Sequence, residues 1–379
     1  MIFASLLIFV SYAMLILYFY RGIERLKSPV NDNKDPEASF SILVPFRNEA
    51  LNLPALLQSI TELDYPAHKF ELILINDDSS DESVSIVSTF REEHPKLKII
   101  QADLIKQSNS PKKEAINYGV ALASHPWILT TDADCIVPQS WLKTFDLMIR
   151  QEPVHMVVAP VAYAPGPGFL HNFQALDFLS LQGITMGSFG MNDKGLGQPF
   201  LCNGANLCYQ KESFTKVNGF RGNEHLASGD DVFLLEKMNR AFPGKIKFLK
   251  SKAAIVLTSS KDSLRGLLRQ RVRWAAKITG FDSVFAKLVG LLVFVTNLLV
   301  IVTIILGVLG QMSWAHVGLL YLVKFNIDFI FLHRTSQFFE QQDVMKSYFI
   351  SSLLYPFYTI LIVSLSFKKA YTWKERVLR

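Results

Sequence analysis

The stretch Phe40-Ser41-Ile42-Leu43-Val44-Pro45-Phe46-Arg47-Asn48-Glu49 sets the pattern from which the fold can be predicted. Its apolar residues 40–44 lead into a stretch of helical periodicity, residues 49–60. The alternation repeats with apolar residues 70–75, helical residues 82–93 and apolar residues 98–101. Strands that alternate with helices are typical of parallel βαβ units, so we predict an α/β domain built on a doubly wound sheet.

Polar loops follow three of the predicted strands. They are residues 45–49, residues 76–81 and residues 132–134, the last after the apolar run 127–129. Each loop also suits an ordinary turn or helix cap, because Asn, Asp and Ser favour both. In a doubly wound sheet, however, ligands bind at the carboxyl ends of the strands. We therefore expect the three loops to meet in one crevice, with a cation or hydrogen-bond donors among their carboxylates.

Asp132-Ala133-Asp134 carries two carboxylates one residue apart. Carboxylate oxygens are the ligands that Mg²⁺ or Mn²⁺ prefers, so the pair is a candidate metal site. A solvated turn or a helix N-cap is the alternative, and Pro138 a few residues later suits a helix start. Lys112, before the predicted helix 114–123, is a candidate partner for a pyrophosphate, with an ordinary solvated side chain as the alternative. Its neighbour Lys113 competes for the assignment.

The second half of the chain contains further candidate site residues. Gly204 suits a tight turn with φ above zero, which is also compatible with backbone that approaches a sugar closely. Asp230 and Asp231 precede a helical pattern, where the helix dipole alone favours acidic residues. A carboxylate beside a metal-held diphosphate is also placed to take the proton of an attacking hydroxyl.

The apolar content of the chain exceeds what one soluble domain buries, since half of its 379 residues are hydrophobic. Residues 2–20 form an uncharged run long enough to span a bilayer. A cleaved signal peptide is the alternative, but a basic leading region and a small-residue cleavage site are missing. The basic residues Arg21, Arg25 and Lys27 follow the run, which predicts a cytosolic location for the next domain.

Three further apolar runs, residues 288–309, 314–332 and 348–367, follow near the C-terminus. The middle run contains Lys324 and Asp328, whose spacing of four allows them to pair on one helix face. Three crossings after a cytosolic domain put the C-terminus outside, yet a basic tail indicates the inside. Either the run 314–332 does not cross, or the tail breaks the rule. The basic residues of the tail are Lys368, Lys369, Lys374, Arg376 and Arg379.

Charge and cysteine content exclude several other classes. Cys135, Cys202 and Cys208 have neither an even count nor a C-x-x-C spacing, so a disulfide framework or zinc site is not expected. The net charge of +6 indicates affinity for anionic lipid and phosphate, and nothing resembles a nucleic-acid-binding module.

Residues 261–277 combine arginines with leucines at helical spacing, a pattern typical of a helix lying in a lipid interface. That pattern does not account for Gln270-Arg271-Val272-Arg273-Trp274, which matches the motif Q-x-x-R-W. Together with the motifs at residues 44–49, 76–81 and 132–134, it makes the chain resemble membrane-bound family 2 glycosyltransferases, including enzymes that form glycolipids and polysaccharides. The resemblance implies a GT-A fold, a Rossmann-like nucleotide-diphospho-sugar transferase domain, with transmembrane helices beside it.

The resemblance also implies roles for individual residues. Asp231, with Asp230, carries the general base, and Asp132 and Asp134 hold Mg²⁺ or Mn²⁺. The donor-binding residues are Pro45, Arg47, Glu49, Asp77, Lys112, Asp132, Gln270, Arg273 and Trp274. The acceptor-binding residues are Gly204, Ala205, Asn206 and Trp274.

We therefore expect an inverting, metal-dependent glycosyltransferase of the hexosyltransferase type at the cytosolic face of a bacterial-type inner membrane. It moves a sugar from a nucleotide sugar, a UDP-sugar, to a lipid or lipid-linked acceptor. The alternatives are a processive polysaccharide synthase and a non-catalytic protein that binds nucleotide sugar or lipid. The expected parts are an anchor (1–22), a linker (23–38), a GT-A domain (39–260), an interfacial helix (261–284), a hydrophobic region (285–367) and a basic tail (368–379).

Overall fold

A computed structural model describes residues 2–32, 34–104, 110–192, 195, 197–222, 229–276, 280, 282–367, 371–373 and 376–378, with side chains described as far as residue 367. The chain forms two compact units. We call them the sheet unit (Lys27–Ala164, Leu201–Ser259 and Thr372–Arg379) and the helical unit (Met1–Leu26, Pro165–Phe200 and Ser260–Tyr371).

The sheet unit is built on a seven-stranded mixed sheet. Its strands are β1 (Phe40–Phe46), β2 (Phe70–Asn76), β3 (Lys98–Asp103), β4 (Trp127–Thr130), β6 (Met156–Val158), β8 (Leu207–Gln210) and β9 (Ile246–Phe248), in the order β3-β2-β1-β4-β8-β6-β9. The first four are parallel to one another, while β8 runs antiparallel to both β4 and β6. The carboxyl ends of β1, β2 and β4 therefore lie along one edge, as the alternating pattern predicts.

The α-helices of the described part of the sheet unit are α2 (Leu53–Thr61), α3 (Ser83–Glu93), α4 (Pro111–Leu122), α5 (Trp141–Gln151), α7 (Lys211–Lys216) and α8 (Asp230–Ala241). The predicted strands and helices between residues 40 and 129 are confirmed with shifts of a few residues at their ends. One shift moves Lys112 into the first turn of α4, which begins at Pro111 rather than at Glu114. Pro111 suits this position because its missing N–H is not needed in a first turn.

A small second sheet in the same unit joins β5 (Cys135–Ile136), β10 (Val256–Thr258) and β7 (Val161–Tyr163). Strand β5 starts directly after Asp134, so the Asp132-Ala133-Asp134 segment connects the two sheets. The helix that follows begins at Trp141, three residues after Pro138. The carboxylate pair is thus in a short connection fixed at both ends rather than at a helix N-cap. Two more short strands, β11 (Tyr371–Trp373) and β12 (Arg376–Leu378), lie near the C-terminus.

The helical unit contains α1 (Ile2–Arg25), α6 (Gly168–Asn192), α9 (Leu264–Ala276), α10 (Val284–Val308), α11 (Trp314–Phe339) and α12 (Tyr348–Ser366). Short 3₁₀ turns in the chain are Ala67–Lys69, Gly204–Asn206, Lys252–Ala254 and Gln342–Ser347. Among the residues that the structure describes, four helical segments are long and apolar enough to cross a membrane: Phe3–Arg25, Val284–Val308, Trp314–Phe339 and Gln342–Ser366. They coincide with the four apolar runs of the sequence.

Helices α1 and α6 approach each other through glycines. A Cβ atom added at Gly22 would lie 2.0 Å from the carbonyl oxygen of Gly187, and one at Gly190 would lie 1.9 Å from that of Gly22. One at Gly187 would lie 2.5 Å from the carbonyl oxygen of Phe19. Any larger residue at these three positions would force the two backbones apart, as in the close crossings of membrane helices.

Helix α11 contains Lys324 and Asp328, the two charged residues of the apolar run 314–332. The Nζ atom of Lys324 lies 2.5 Å from Oδ2 of Asp328, which confirms the predicted pairing. The hydroxyl of Tyr12 on α1 donates to Oδ1 of the same carboxylate at 2.6 Å. Both charges are thereby partnered inside the helical unit, as ionisable groups in apolar surroundings require.

The expected boundaries differ from these units in two respects. Helix α1 continues to Arg25, beyond the expected end of the anchor at residue 22. Residues 165–200, expected within one continuous domain 39–260, belong to the helical unit. Lys277 and the basic side chains of the tail, including Lys368, Lys369, Lys374, Arg376 and Arg379, lie outside the described side chains, as do Asn33 and Ser228.

Candidate functional site

A lysine surrounded by carboxylates lies at the carboxyl end of β4. The Nζ atom of Lys112 is 2.5 Å from Oδ1 of Asp132 and 3.4 Å from Oδ2 of Asp230. The side chains of Lys112 and Asp132 are about one-third exposed, whereas that of Asp230 is 11% exposed. The first turn of α4, the end of β4 and the start of α8 thus converge on one ammonium group. We call Asp132, Asp230 and Asp231, which surround Lys112, the acidic cluster.

The electrostatics of the acidic cluster keep Lys112 charged. Burial by itself lowers the pKa of this lysine, but the attraction of Asp132, Asp230 and Asp231 outweighs burial and raises the pKa above its ordinary value. Because three carboxylates surround one ammonium group, the region keeps a net negative charge and suits a further cation.

Asp230 and Asp231 are the first two residues of α8. Gly229 before them has φ of +90°, a left-handed conformation that glycine adopts at little cost. Oδ1 of Asp231 accepts a hydrogen bond from the backbone N–H of Val232 at 2.9 Å, and Oδ2 lies 3.4 Å from the backbone nitrogen of Gly204. The helix start therefore turns both carboxylates toward Lys112 and the Gly204 turn.

The turn Gly204–Asn206 packs closely against the acidic cluster. The hydroxyl of Thr130, the last residue of β4, donates to the carbonyl oxygen of Gly204 at 2.7 Å. A Cβ atom at residue 204 would lie 3.2 Å from Oδ2 of Asp230 and 3.6 Å from Nζ of Lys112. A larger residue would therefore crowd Asp230. The φ of Gly204 is not in the left-handed region, so the expectation of a tight turn with φ above zero is wrong.

Asn206 differs from the expectation that it contacts an acceptor. Its side chain is fully buried, and its amide oxygen accepts from the indole N–H of Trp141 at 2.9 Å. Its amide nitrogen donates to the carbonyl oxygens of Pro160 and Ala254 at 2.7 and 2.8 Å. Both amide hydrogens are committed to the protein, so Asn206 holds the turn in place. Ala205 is buried as well, with 2% exposure.

The two loops that follow β1 and β2 are bound to each other. The Nη1 atom of Arg47 donates to the carbonyl oxygens of Asp77 and Asp78, both at 2.7 Å. Asn48, with φ of +49°, receives a hydrogen bond from the backbone N–H of Ser80 at 2.8 Å. Arg47 therefore orders the backbone around Asp77.

The remaining residues assigned to the donor lie nearby in the sheet unit. Pro45 is the sixth residue of β1 and pairs in register with Ile75. Glu49 follows the strand and accepts from the side-chain amide of Asn52 at 2.6 Å. The side chain of Asp77 follows β2 and is nearly buried, with 4% exposure. The structure thus brings Pro45, Arg47, Glu49 and Asp77 to the edge of the sheet at which β4 delivers Asp132.

Asp132 and Asp134 fit a divalent cation in their chemistry. Both are half-buried, and Asp134 precedes β5. Burial raises the pKa of the neighbouring Cys135 thiol well above its ordinary value, and the nearby Asp134 and Asp132 raise it further, so this thiol stays protonated. Within the described ranges no three His, Cys, Asp or Glu side chains converge to hold an ion by themselves. Oxygen atoms of a bound diphosphate would have to complete the coordination.

The residues of the Q-x-x-R-W motif lie on α9 of the helical unit, so their expected role toward donor and acceptor remains a prediction. The helix buries Leu267 and Arg271, while Leu264, Arg265 and Arg269 are exposed. The buried arginine pairs with Asp177 of α6 at 2.5 Å. Sequence reasoning missed this pair. Two features of the sequence could have indicated it. Arg271 follows the apolar Leu267 by four residues, and Asp177 is the sole acidic residue between Gly168 and Asn192.

Comparisons with known proteins show what the chain is similar to. Residues 41–214 match the family model described as glycosyl transferase family 2. A poly-beta-1,6-N-acetyl-D-glucosamine synthase of Staphylococcus epidermidis is 24% identical over 267 residues, which cover 69% of this chain and 60% of that protein. The Staphylococcus aureus (strain COL) synthase of the same name is 26% identical, covering 68% of this chain and 59% of its own length.

One solved structure supports the fold. It is the mannosyltransferase PcManGT from Pyrobaculum calidifontis in complex with GDP-Man and Mn²⁺. The TM-score is 0.59 at 16% sequence identity, and the match covers 93% of this chain and 99% of that one.

These findings define a GT-A-like fold accompanied by apolar helices. The part of the chain that is similar to the family 2 glycosyl transferase model covers β1 from Ser41 onward, β2 to β4, Lys112, Asp132 and the Gly204 turn. The chain spans about 60% of the length of the curated relatives that it matches.

Proposed function

We propose that the chain transfers a sugar from a nucleotide-sugar donor, a UDP-sugar, to a lipid or lipid-linked acceptor at the cytosolic face of a membrane. The single observation that carries the proposal is the acidic cluster around Lys112, at the strand ends where doubly wound sheets bind ligands. The family 2 match and the names of the relatives support the reaction class.

The loops at the edge of the sheet bind the donor. Asp77 contacts the uracil or ribose, and Arg47 holds the backbone of Asp77 in place by a hydrogen bond to its carbonyl oxygen. Lys112 contributes a positive charge to the diphosphate, because its neighbouring carboxylates keep it protonated. Asp132 and Asp134 would hold the divalent metal, which supplies charge neutralisation for the departing nucleoside diphosphate.

Asp231 carries out the proton transfer of the reaction. As general base it takes the proton of an acceptor hydroxyl while the oxygen attacks the anomeric carbon. The new bond joins the acceptor oxygen to the anomeric carbon, and the bond from that carbon to the diphosphate oxygen breaks. A single displacement of this kind inverts the anomeric configuration. Asp230, which is in contact with Lys112, keeps the acidic pair oriented.

The four apolar helices support the membrane location. An amphiphilic acceptor reaches such an enzyme by lateral diffusion, with its head group in the aqueous layer. The basic residues at the end of α1 and directly after it, Arg21, Arg25 and Lys27, favour a cytosolic location for the sheet unit.

A processive polysaccharide synthase is the second candidate, and a specific observation favours it. The relatives at 24% and 26% identity are named as synthases of a polysaccharide. The two candidates differ in product length. Radiolabelled UDP-sugar supplied to membranes that contain the chain yields a single labelled product in the first case and a ladder of oligomers in the second.

Donor and metal can be tested together on the full chain in detergent. We expect one UDP-sugar of a nucleotide-sugar panel to raise the melting temperature in the presence of Mn²⁺, because a ligand that binds the folded state stabilises it. EDTA should remove that shift, and added Mn²⁺ should restore it. Donor binding that is unaffected by EDTA would contradict the role given to Asp132 and Asp134. Binding without turnover, with every acceptor fraction tested, would favour a non-catalytic protein.

A further inference from the structure

The buried arginine of α9 differs from the other arginines of that helix. Arg265 and Arg269 are exposed, as a helix at a lipid interface predicts, whereas Arg271 has a side-chain exposure of 5%. Its Nε atom lies 2.5 Å from Oδ2 of Asp177 on α6, whose side chain is 7% exposed. Lipid-interface binding therefore does not explain this residue.

Arg271 also touches two residues of the Q-x-x-R-W motif. Its guanidinium carbon lies 4.2 Å from the centre of the Trp274 ring, within the range of a cation–π contact. Its Nη1 atom donates to Oε1 of Gln270 at 2.6 Å. One planar cation thus contacts Asp177, the indole and the amide at the same time.

Helix α6 supports the same arrangement from the other side. Phe178, next to Asp177 in the chain, packs against Trp274 with ring centres 6.0 Å apart. Tyr355 of α12 lies close enough to Asp177 to interact with it electrostatically. The carboxylate and the indole are therefore both in contact with α6, and α12 lies beside them.

Stability alone is a weak reason for such a pair. The cost of removing two charges from water can equal or exceed their attraction, and apolar residues of similar volume often stabilise a protein as well or better. What an ion pair adds is geometry, because it fixes the direction of the groups that contact it.

We propose that Arg271 and Asp177 are positioning residues that hold Gln270 and Trp274 of the motif in one orientation on α9. The proposal rests on the proposed function for its catalytic consequence, since Gln270 and Trp274 are expected to act on donor and acceptor. The orientation itself is independent of that function. Loss of the pair leaves the helix in place but frees the indole and the amide to rotate.

The test uses the full chain in nanodiscs and the fluorescence of Trp274. The Trp274 signal is the difference between each protein and the same protein carrying Trp274→Phe. We expect Arg271→Met and Asp177→Asn to raise the acrylamide quenching constant of Trp274 about twofold, because the guanidinium no longer covers the ring. Arg269→Met, a change of the same kind at an exposed site of the same helix, should leave the constant unchanged.

A double variant separates positioning from stability. Arg271→Met combined with Asp177→Leu replaces the pair with apolar side chains and should restore the melting temperature. We expect sugar transfer by this variant to stay about tenfold below wild type. Recovery of the wild-type quenching constant and transfer rate together with stability would overturn the proposal, as would unchanged quenching of Trp274 in Arg271→Met.

The fluorescence and melting measurements need no sugar transfer. If no UDP-sugar is turned over by the wild type, the proposed function fails, while the quenching results still decide the positioning role. If turnover is found and the quenching constants do not change, the positioning role fails alone.

Discussion

The Nζ atom of Lys112 lies 2.5 Å from Oδ1 of Asp132 and so joins the first turn of α4 to the connection that follows β4. This contact brings the proposed diphosphate-binding lysine to a proposed metal ligand. In the absence of donor the two side chains neutralise each other. Binding of a diphosphate with its metal would give each of them a new partner of opposite charge.

Replacement of Lys112 should weaken donor binding. In Lys112→Met the diphosphate loses one charge-assisted interaction, worth about 1.5–3 kcal/mol, so we expect the Kd for UDP to rise by about ten- to one-hundredfold. Isothermal titration of UDP with Mn²⁺ present measures the change.

Lys113→Met is the matched control for this prediction. The Nζ atom of Lys113 lies 5.2 Å from the centre of the Phe233 ring, and the residue is 3% exposed. A methionine keeps its apolar contacts, so we expect the UDP affinity to stay near the wild-type value. A larger loss of affinity in Lys113→Met than in Lys112→Met would reverse the assignment of the two lysines.

Removal of the proposed base should abolish transfer without loss of donor binding. Asp231→Asn keeps the shape of the side chain, including an oxygen for the N–H of Val232, but cannot accept the acceptor proton. We expect kcat to fall by about 10²- to 10⁴-fold, the usual contribution of general base catalysis. Steady-state transfer from radiolabelled donor gives the rate, and Glu212→Gln, an exposed change in the same unit, serves as control. Intact turnover in Asp231→Asn would exclude this residue as the base.

A methyl group at residue 204 should disturb the acidic cluster. In Gly204→Ala the new Cβ would lie 3.2 Å from Oδ2 of Asp230, so that the carboxylate must shift by a few tenths of an ångström. We expect kcat to fall about tenfold, because small misplacements of reacting groups are costly, while the melting temperature changes little. Gly290→Ala on α10, where an added Cβ meets no atom within 4 Å, should leave both quantities unchanged. Wild-type kcat in Gly204→Ala would show that the close approach has no functional role.

Glu71 should make the stability of the sheet unit depend on pH. Burial by itself raises the pKa of this carboxyl, but hydrogen bonds from Lys98, Ser41 and Ser124 outweigh it and hold the pKa at about 2. Because the folded pKa lies below the ordinary value of 4.5, the stabilisation is complete above pH 4.5 and is lost as the pH falls toward 2.

The variant Glu71→Gln tests this dependence. A lowering of the Glu71 pKa by this amount corresponds to about 3 kcal/mol of unfolding free energy near neutral pH. The variant should therefore have a melting temperature well below that of the wild type at pH 6. That difference should shrink steadily between pH 4.5 and pH 2, as followed by scanning calorimetry in detergent. A difference that does not change with pH would mean that the carboxylate charge of Glu71 does not contribute to stability. Glu212→Gln, which changes an exposed carboxyl, should match wild type across the range.

The parallel half of the sheet could be predicted from the sequence because each of its strands carries a strong local signal. Strands β1 and β2 are seven residues long and almost wholly buried, so their apolar runs are nearly continuous. Strands β6 and β9 have only three residues each, and three residues do not establish a period. Their pairing depends on tertiary contacts instead.

The candidate site could be predicted as a set of loops but not as an arrangement of side chains. Lys112 and Lys113 are adjacent in the sequence, and only the orientation of α4 determines which of them meets Asp132. Asn206 belongs to a motif-like turn, yet its amide is committed to Trp141, Pro160 and Ala254, which are distant in the chain. Burial of a polar group by distant partners leaves no local pattern in the sequence.

The glycine contacts between α1 and α6 bear on how the first 25 residues can be handled in the laboratory. A helix that only tethers a domain can be exchanged for any other apolar helix of equal length. Here Gly22 admits the backbone of Gly187 at a separation that excludes every other residue type, so the sequence of α1 is specific to its neighbour. A chimaera with an unrelated anchor would keep the membrane attachment and lose the packing of α6, the helix that carries Asp177.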